Sequence, residues 1–180
     1  ISRRMESGGK LTLKKLYLLI WRGDFPALAL HEEMNRDLFY SSYIQTYLQR
    51  DIRDLSNIEG LSSAPRLLAL LAGRAAGLFN VSELSRVMGM PNTTLQRYLA
   101  LFEAAFLIHR IPAWSSNSGK RAARTPKLLM ADSGLMARLL RVDETRALED
   151  PNFSGRLLEN FVGAELLKQA SWNRAKPSLY

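Results

Sequence analysis

The sequence predicts a mainly α-helical fold: a helical bundle joined to a winged helix-turn-helix with a small two-stranded β-wing. Three observations carry that expectation. Amphipathic apolar spacing recurs along most of the 180 residues. Two such patterns meet at the breaker "GMPN" inside "VSELSRVMGMPNTTLQRYLALFEAAFLI", residues 81–108. Directly after them, two stretches rich in β-formers flank a basic polar loop, the order strand, loop, strand that a plain helical hairpin has no reason to precede. Composition agrees, since 47% hydrophobic and 23% charged residues can bury a real core.

In order, "LTLKKLYLLIW" (residues 11–21) has the apolar density of a short helix, broken by Gly23 and Pro26. From Pro26 to about Leu55 the chain reads as one or two helices, with Leu38, Phe39, Tyr43, Tyr47 and Leu48 forming a core-facing stripe. "SNIEGLSSAP" connects, Pro65 suits the first turn of a helix through "RLLALLAGRAAG", and Gly77 closes it. Ser82 is expected to cap the next helix, with Glu83 favourably placed near its positive end. Gly89 ends that helix, and Asn92 or Thr93 caps the following one, residues 92–106. Its Leu95, Tyr98, Leu99 and Phe102 share one side, leaving Thr93, Gln96, Arg97 and Ala100 toward the other. "FLIHRIPAW" and "PKLLMAD" are the two strands, with "SSNSGKRAART" as the wing between them. Asp132 or Ser133 opens a short helix, "RVDETRALEDPNFSG" reads as a polar linker, and "RLLENFVGAELLKQASW" is a strong amphipathic helix before "KPSLY", which reads as entering a strand.

Several chemistries are disfavoured. The chain has no cysteine, which removes disulfides, thiolate metal sites and cysteine nucleophiles and leaves a reducing cytoplasm as the expected location. His31 and His109 are far apart, against a histidine metal site. "SGGK" lacks the remaining phosphate-loop residues, because Arg4 and Leu11 stand where glycine and serine or threonine are needed. Glu159 and Glu165, six residues apart, fall on different helix faces and do not form a carboxylate pair. No apolar run reaches the ~20 residues of a membrane span. Without an initial methionine or a signal peptide, the chain reads as a fragment.

The basic balance points to an anionic partner. Net charge is +8, and between Glu103 and Asp132 there is no acidic residue, while Arg110, Lys120, Arg121, Arg124 and Lys127 cluster there. In winged helices the second helix of the motif enters the major groove and basic loop residues neutralise phosphate. The candidate DNA-binding residues are therefore Asn92, Thr93, Gln96 and Arg97 on the helix, and Lys120, Arg121 and Arg124 on the wing. The alternative is a winged helix that docks protein, with the basic wing incidental.

The ordered series "WRGDFP", "YIQTYLQRDIRDL", "LLALLAGRAAGLFNVSELSRVMGMPNTTLQRYLALFEAAFLIHRIPAW", "KLLMADSGLMARLL" and "LLENFVGAELLKQ" resembles a family of prokaryotic AAA-type ATPases over nearly the whole chain. The resemblance implies three parts: residues 1–58 as the end of the ATPase lid, 59–142 as a winged-helix domain of unknown function, and 143–180 as a linker and the first helix of a nuclease-like module. It implies ATP and magnesium for the full-length parent, with their motifs upstream of Ile1, and no cofactor for this fragment. It places the acidic strand of the nuclease-like module beyond Tyr180, so the fragment itself is expected to be non-catalytic. The resemblance adds the ATPase domain of the same chain to the partners expected from the residues themselves, DNA or else a protein partner or second copy; no membrane is expected. This chain has Asp24 where those proteins usually have a second glycine.

Overall fold

The computed structural model describes residues 12–46, 63–116 and 124–180. Among them the chain is mainly helical, with one two-stranded antiparallel sheet. Helix α1 (Leu13–Arg22) begins where the Thr12 hydroxyl accepts from the Lys15 N–H at 3.2 Å, and ends at Gly23, whose φ of 90° suits glycine. Pro26 opens α2 (Pro26–Leu30), and α3 (Arg36–Thr46) follows. Tyr40 is fully buried, the rings of Phe25 and Phe39 meet it edge-on, and Tyr43 meets Phe25 edge-on and stacks on Phe39. The expected stripe is corrected at Leu38, which is 67% exposed: Arg36 and Tyr40, four apart, set the inward face, and Leu38 lies across the helix from them. Tyr47 and Leu48 lie outside the described residues.

Helix α4 (Ala64–Ala72) has Pro65 in its first turn and ends at Gly73, earlier than Gly77. The segment after it leaves the helix to run beside a strand: the Ala76 and Phe79 N–H groups donate to Leu128 and Pro126 carbonyls, both at 2.8 Å, and Leu78 bridges Lys127. Helix α5 (Val81–Met88) is capped by Asn80, whose side chain accepts from the Glu83 N–H at 3.1 Å, rather than by Ser82, which is already helical. Gly89 closes α5 in the left-handed region, φ 67°, and the Ser85 hydroxyl donates to the Met90 carbonyl across the turn. Helix α6 (Asn92–Ala104) follows Pro91 with no side-chain cap, so Asn92 and Thr93 are helical residues rather than caps.

Strand β1 (Ile108–Ile111) pairs antiparallel with β2 (Lys127–Met130), Ile108 opposite Met130. Both strands are shorter than expected because Pro112 and Pro126 cannot donate to a ladder, and residues 105–107 are taken by the turn that ends α6. The helices α4, α5 and α6 thus precede a small two-stranded antiparallel sheet, and residue 78 bridges β2 at Lys127.

Asp132 caps α7 (Ser133–Leu139) through the Leu135 N–H, as expected. The polar linker is corrected: Asp143 caps a short helix α8 (Glu144–Glu149) and Asp150 caps α9 (Pro151–Trp172), with Pro151 in its first turn. Residues 176–180 are in no regular element, not a strand. Helix α9 buries Phe153, Leu157, Asn160 and Ala164, one face at helical spacing. Its Asn160 is fully buried because its amide replaces a strand neighbour, accepting from the Met130 N–H at 2.8 Å and donating to the Met130 carbonyl at 3.0 Å. A single buried cluster runs through Ile20, Tyr40, Leu71, Phe102, Met136 and Leu157, so α1, α3, α4, α6, α7 and α9 share one core.

Candidate nucleic-acid interface

The face predicted on α6 exists as a surface. Leu95, Tyr98, Leu99 and Phe102 are buried, which turns Asn92, Thr93, Gln96, Arg97 and Ala100 outward, and all five are exposed. Arg97 has no ion-pair partner among the described residues. Gln96 is held in place, since Arg110 from β1 donates to its side-chain oxygen at 3.2 Å. Arg86, exposed in the last turn of α5, is a further arginine of the helix-turn-helix that the sequence reading did not single out.

The basic cluster is less concentrated than its sequence. Arg110 donates through Nε to Glu103 at 2.8 Å, and that hydrogen bond raises its pKa above the ordinary arginine value. Lys127 pairs with Glu159 of α9, a carboxylate 32 residues away. Of the three cluster residues that are described, Arg124 is the one without a carboxylate partner; it donates to the Trp114 carbonyl at 3.1 Å, at the base of the wing. Lys120 and Arg121 lie outside the described residues.

A second polar centre, with no local signal in the sequence, lies where α1, α3, α7 and α9 meet. Asp132, 4% exposed, accepts from the Asp24 N–H at 2.9 Å, from the Leu135 N–H at 2.6 Å and from the Tyr40 hydroxyl at 2.6 Å. Lys168 of α9 pairs with Asp24 and with Glu165, the latter at 2.8 Å. Burial and the neighbouring Asp24 carboxylate push the Asp132 carboxyl up to about 7. Burial also acts upward on Asp24, but hydrogen bonds with Asp132 and Lys168 outweigh it and hold that carboxyl down at about 2. Below about pH 7 the pair therefore keeps one proton. Burial pushes the Tyr40 phenol up as well, so it stays a donor. Asp24 does not adopt a positive φ. Its backbone N–H donates to Asp132, as a glycine's would, and its carboxylate holds Lys168, which a glycine could not do.

Residues 13–146 match the family described as "Domain of unknown function (DUF8612)". The chain belongs to that family. An uncharacterized protein of Mycobacterium tuberculosis is 32% identical over 141 residues, covering 78% of this chain and 32% of its own length, and one of Mycobacterium bovis matches to the same extent. An uncharacterized protein of Haemophilus influenzae is 23% identical over 152 residues, 82% of this chain and 36% of its own length. The chain thus spans about a third of the length of these relatives. No solved structure matches it significantly. The DUF8612 span contains α6, both strands, Asp24, Tyr40 and Asp132, and ends inside α8; Glu159, Glu165 and Lys168, which tie α9 to the rest, lie beyond it. No helix among the described residues is long and apolar enough to cross a membrane.

Proposed function

We propose that this chain is a non-catalytic winged-helix module that binds duplex DNA, with α6 in the major groove and the wing on the phosphates. The observation that carries the reading is the exposed polar face of α6, where Asn92, Gln96 and Arg97 stand one turn apart beside two small residues. Amide side chains of this kind pair with adenine edges and arginine with guanine, and among the described residues Arg97 has no carboxylate partner to compete with a base. Lys120, Arg121 and Arg124 are the phosphate contacts. Titrating a labelled duplex at two salt concentrations tests this: affinity falls as salt rises, and the double variant Arg97→Ala, Lys120→Ala weakens it. Absence of binding at low salt, or a double variant that binds as wild type does, removes the reading.

The same proposal takes the chain as part of a cytoplasmic AAA-type ATPase whose ATP and magnesium site lies in another part of the parent. It rests on the ordered motif series described above, and relatives about three times as long accord with such a parent. ATP hydrolysis by the full-length protein, lost when its own phosphate loop is altered, is the expected result.

A second reading has one specific observation in its favour. A cavity of about 400 Å3 between the sheet and α9 is lined mainly by apolar residues, among them Ile111, Leu129, Leu158, Val162 and Leu166, and the last two are exposed. On this reading the module self-associates through that groove. Light scattering over a range of concentrations decides it: a mass above monomer that Leu166→Glu reduces is expected, and a monomer throughout removes it.

A further inference from the structure

Beyond the β1–β2 ladder the two arms stay together. Ile111 pairs with Lys127, and further along the same register, where 114 falls opposite 124, Arg124 donates to the Trp114 carbonyl at 3.1 Å. From Ile111 to Ser116 exposure alternates residue by residue, the period of an extended strand. Ile111, Ala113 and Ser115 lie on the inner side, and Pro112, Trp114 and Ser116 on the outer. Trp114 is thus held outward at 64% exposure, although tryptophan is a residue that folding ordinarily covers.

Arg110 shows which way this arm runs. Its guanidinium touches both Glu103 and Gln96, about two turns apart on α6, so β1 passes back along the helix toward its N-terminal end. With the alternation continued, Trp114 shares the side of Arg110 and stands toward the end of α6 that carries Asn92, Gln96 and Arg97. The surroundings are cationic. No acidic residue lies between Glu103 and Asp132 in the sequence, and Arg124 is exposed with no carboxylate partner among the described residues. A protein partner accounts for the bare indole but not for the uniform charge around it. A single strand of nucleic acid accounts for both, since a base offers a π-face to stack on and its phosphate an acceptor for the guanidinium.

We propose that Trp114 stacks on an unpaired base, so that the module prefers a duplex opening into single strands to an uninterrupted duplex. This specificity rests on the reading of α6 as a duplex binder. Inside a duplex each base is covered by its neighbours and an indole cannot reach it; at a fork the first unpaired base presents its face beside the duplex that α6 holds.

Fluorescence anisotropy at low salt tests it, with a labelled blunt duplex and the same duplex ending in a fork of unpaired thymines. The fork binds more tightly by at least about fivefold, the factor that one stacked base supplies, and quenches indole emission as it binds. Trp114→Ala lowers fork affinity to that of the blunt duplex, whereas Trp114→Phe keeps the preference. Trp172→Ala, at the other well-exposed indole in the last turn of α9, keeps both the preference and the quench. Duplex binding with no preference for the fork overturns the proposal and leaves the DNA reading standing. So does a preference that Trp114→Ala retains, with circular dichroism showing the variant folded. No binding to either probe removes both.

Discussion

Asp132→Asn changes one ionisable group at the meeting point of four helices, and the sign of its effect depends on pH. In the folded protein the Asp132 carboxyl is held up at about 7, against an ordinary 3.8. Between those values the folded chain keeps a proton that the unfolded chain has released. Stability therefore falls as pH rises through the window, by up to about 1.4 kcal/mol per pH unit and about 4 kcal/mol across it. Asparagine cannot ionise. Its oxygen still accepts from the Tyr40 hydroxyl and the Leu135 N–H, but its amide nitrogen meets the Asp24 N–H that Asp132 accepts at 2.9 Å, at a cost of about 1–3 kcal/mol. The variant is thus less stable than wild type at pH 5, and the gap closes or reverses by pH 8, as wild type comes to carry a buried negative charge beside Asp24. Urea unfolding followed by tryptophan fluorescence, in half-unit steps from pH 4.5 to 8, reads both curves. Parallel curves for the two proteins across that range refute the argument. Asp24 supplies an internal control of opposite sign: its depressed pKa stabilises the fold above 3.8, and that stability is lost as pH falls toward 2, outside the window of Asp132.

Two further substitutions address the α5 cap and the contact of α7 with α1 and α3. Asn80→Ala removes the side-chain acceptor of the Glu83 N–H and costs about 1 kcal/mol in urea unfolding, whereas Ser82→Ala, inside α5, changes stability by less than about 0.5 kcal/mol; the reverse order contradicts the observed cap. Gly134→Ala puts a Cβ 2.5 Å from the Arg22 carbonyl oxygen and into the Tyr40 hydroxyl, so α1 and α3 must move off α7; a loss of about 1–3 kcal/mol is expected, and a neutral result means that contact is loose.

What could be read from the sequence was local. Gly89 past an apolar run and Asp132 before one each act on their own neighbours, and the end of α5 and the α7 cap follow from them, whereas Pro112 and Pro126, inside the stretches read as strands, cut both short. Where a segment offered two local signals, composition misled. Ser82 looked like a cap although Asn80 was better placed, and the polarity of residues 141–155 hid two Asp caps followed by helix. The polar centre had no local signal at all. Asp24 meets Asp132 across 108 residues and Lys168 across 144, and nothing in "WRGDFP" or "LLKQ" announces a partner. Charge counting along the chain failed for the same reason, because the carboxylate that balances Lys127 comes from α9.

That last point sets a limit on the DNA reading. Each phosphate neutralised by a protein cation contributes about −0.9 to the slope of log affinity against log salt. If Arg110 stays on Glu103 and Lys127 on Glu159, the phosphates meet Lys120, Arg121 and Arg124, and the slope is about −2.7. If DNA draws both side chains from their carboxylates, five cations act on phosphate and the slope approaches about −4.5. Breaking the pairs has a structural cost, since Arg110 also positions Gln96, and Lys127 lies at the edge of β2 where α9 packs. The shallower slope is therefore expected. Glu159→Gln frees Lys127 without touching α6 and should steepen the slope by about one unit. A wild-type slope steeper than about −4, unchanged by Glu159→Gln, means the ion pairs do not survive on DNA and the basic cluster acts as the sequence first suggested.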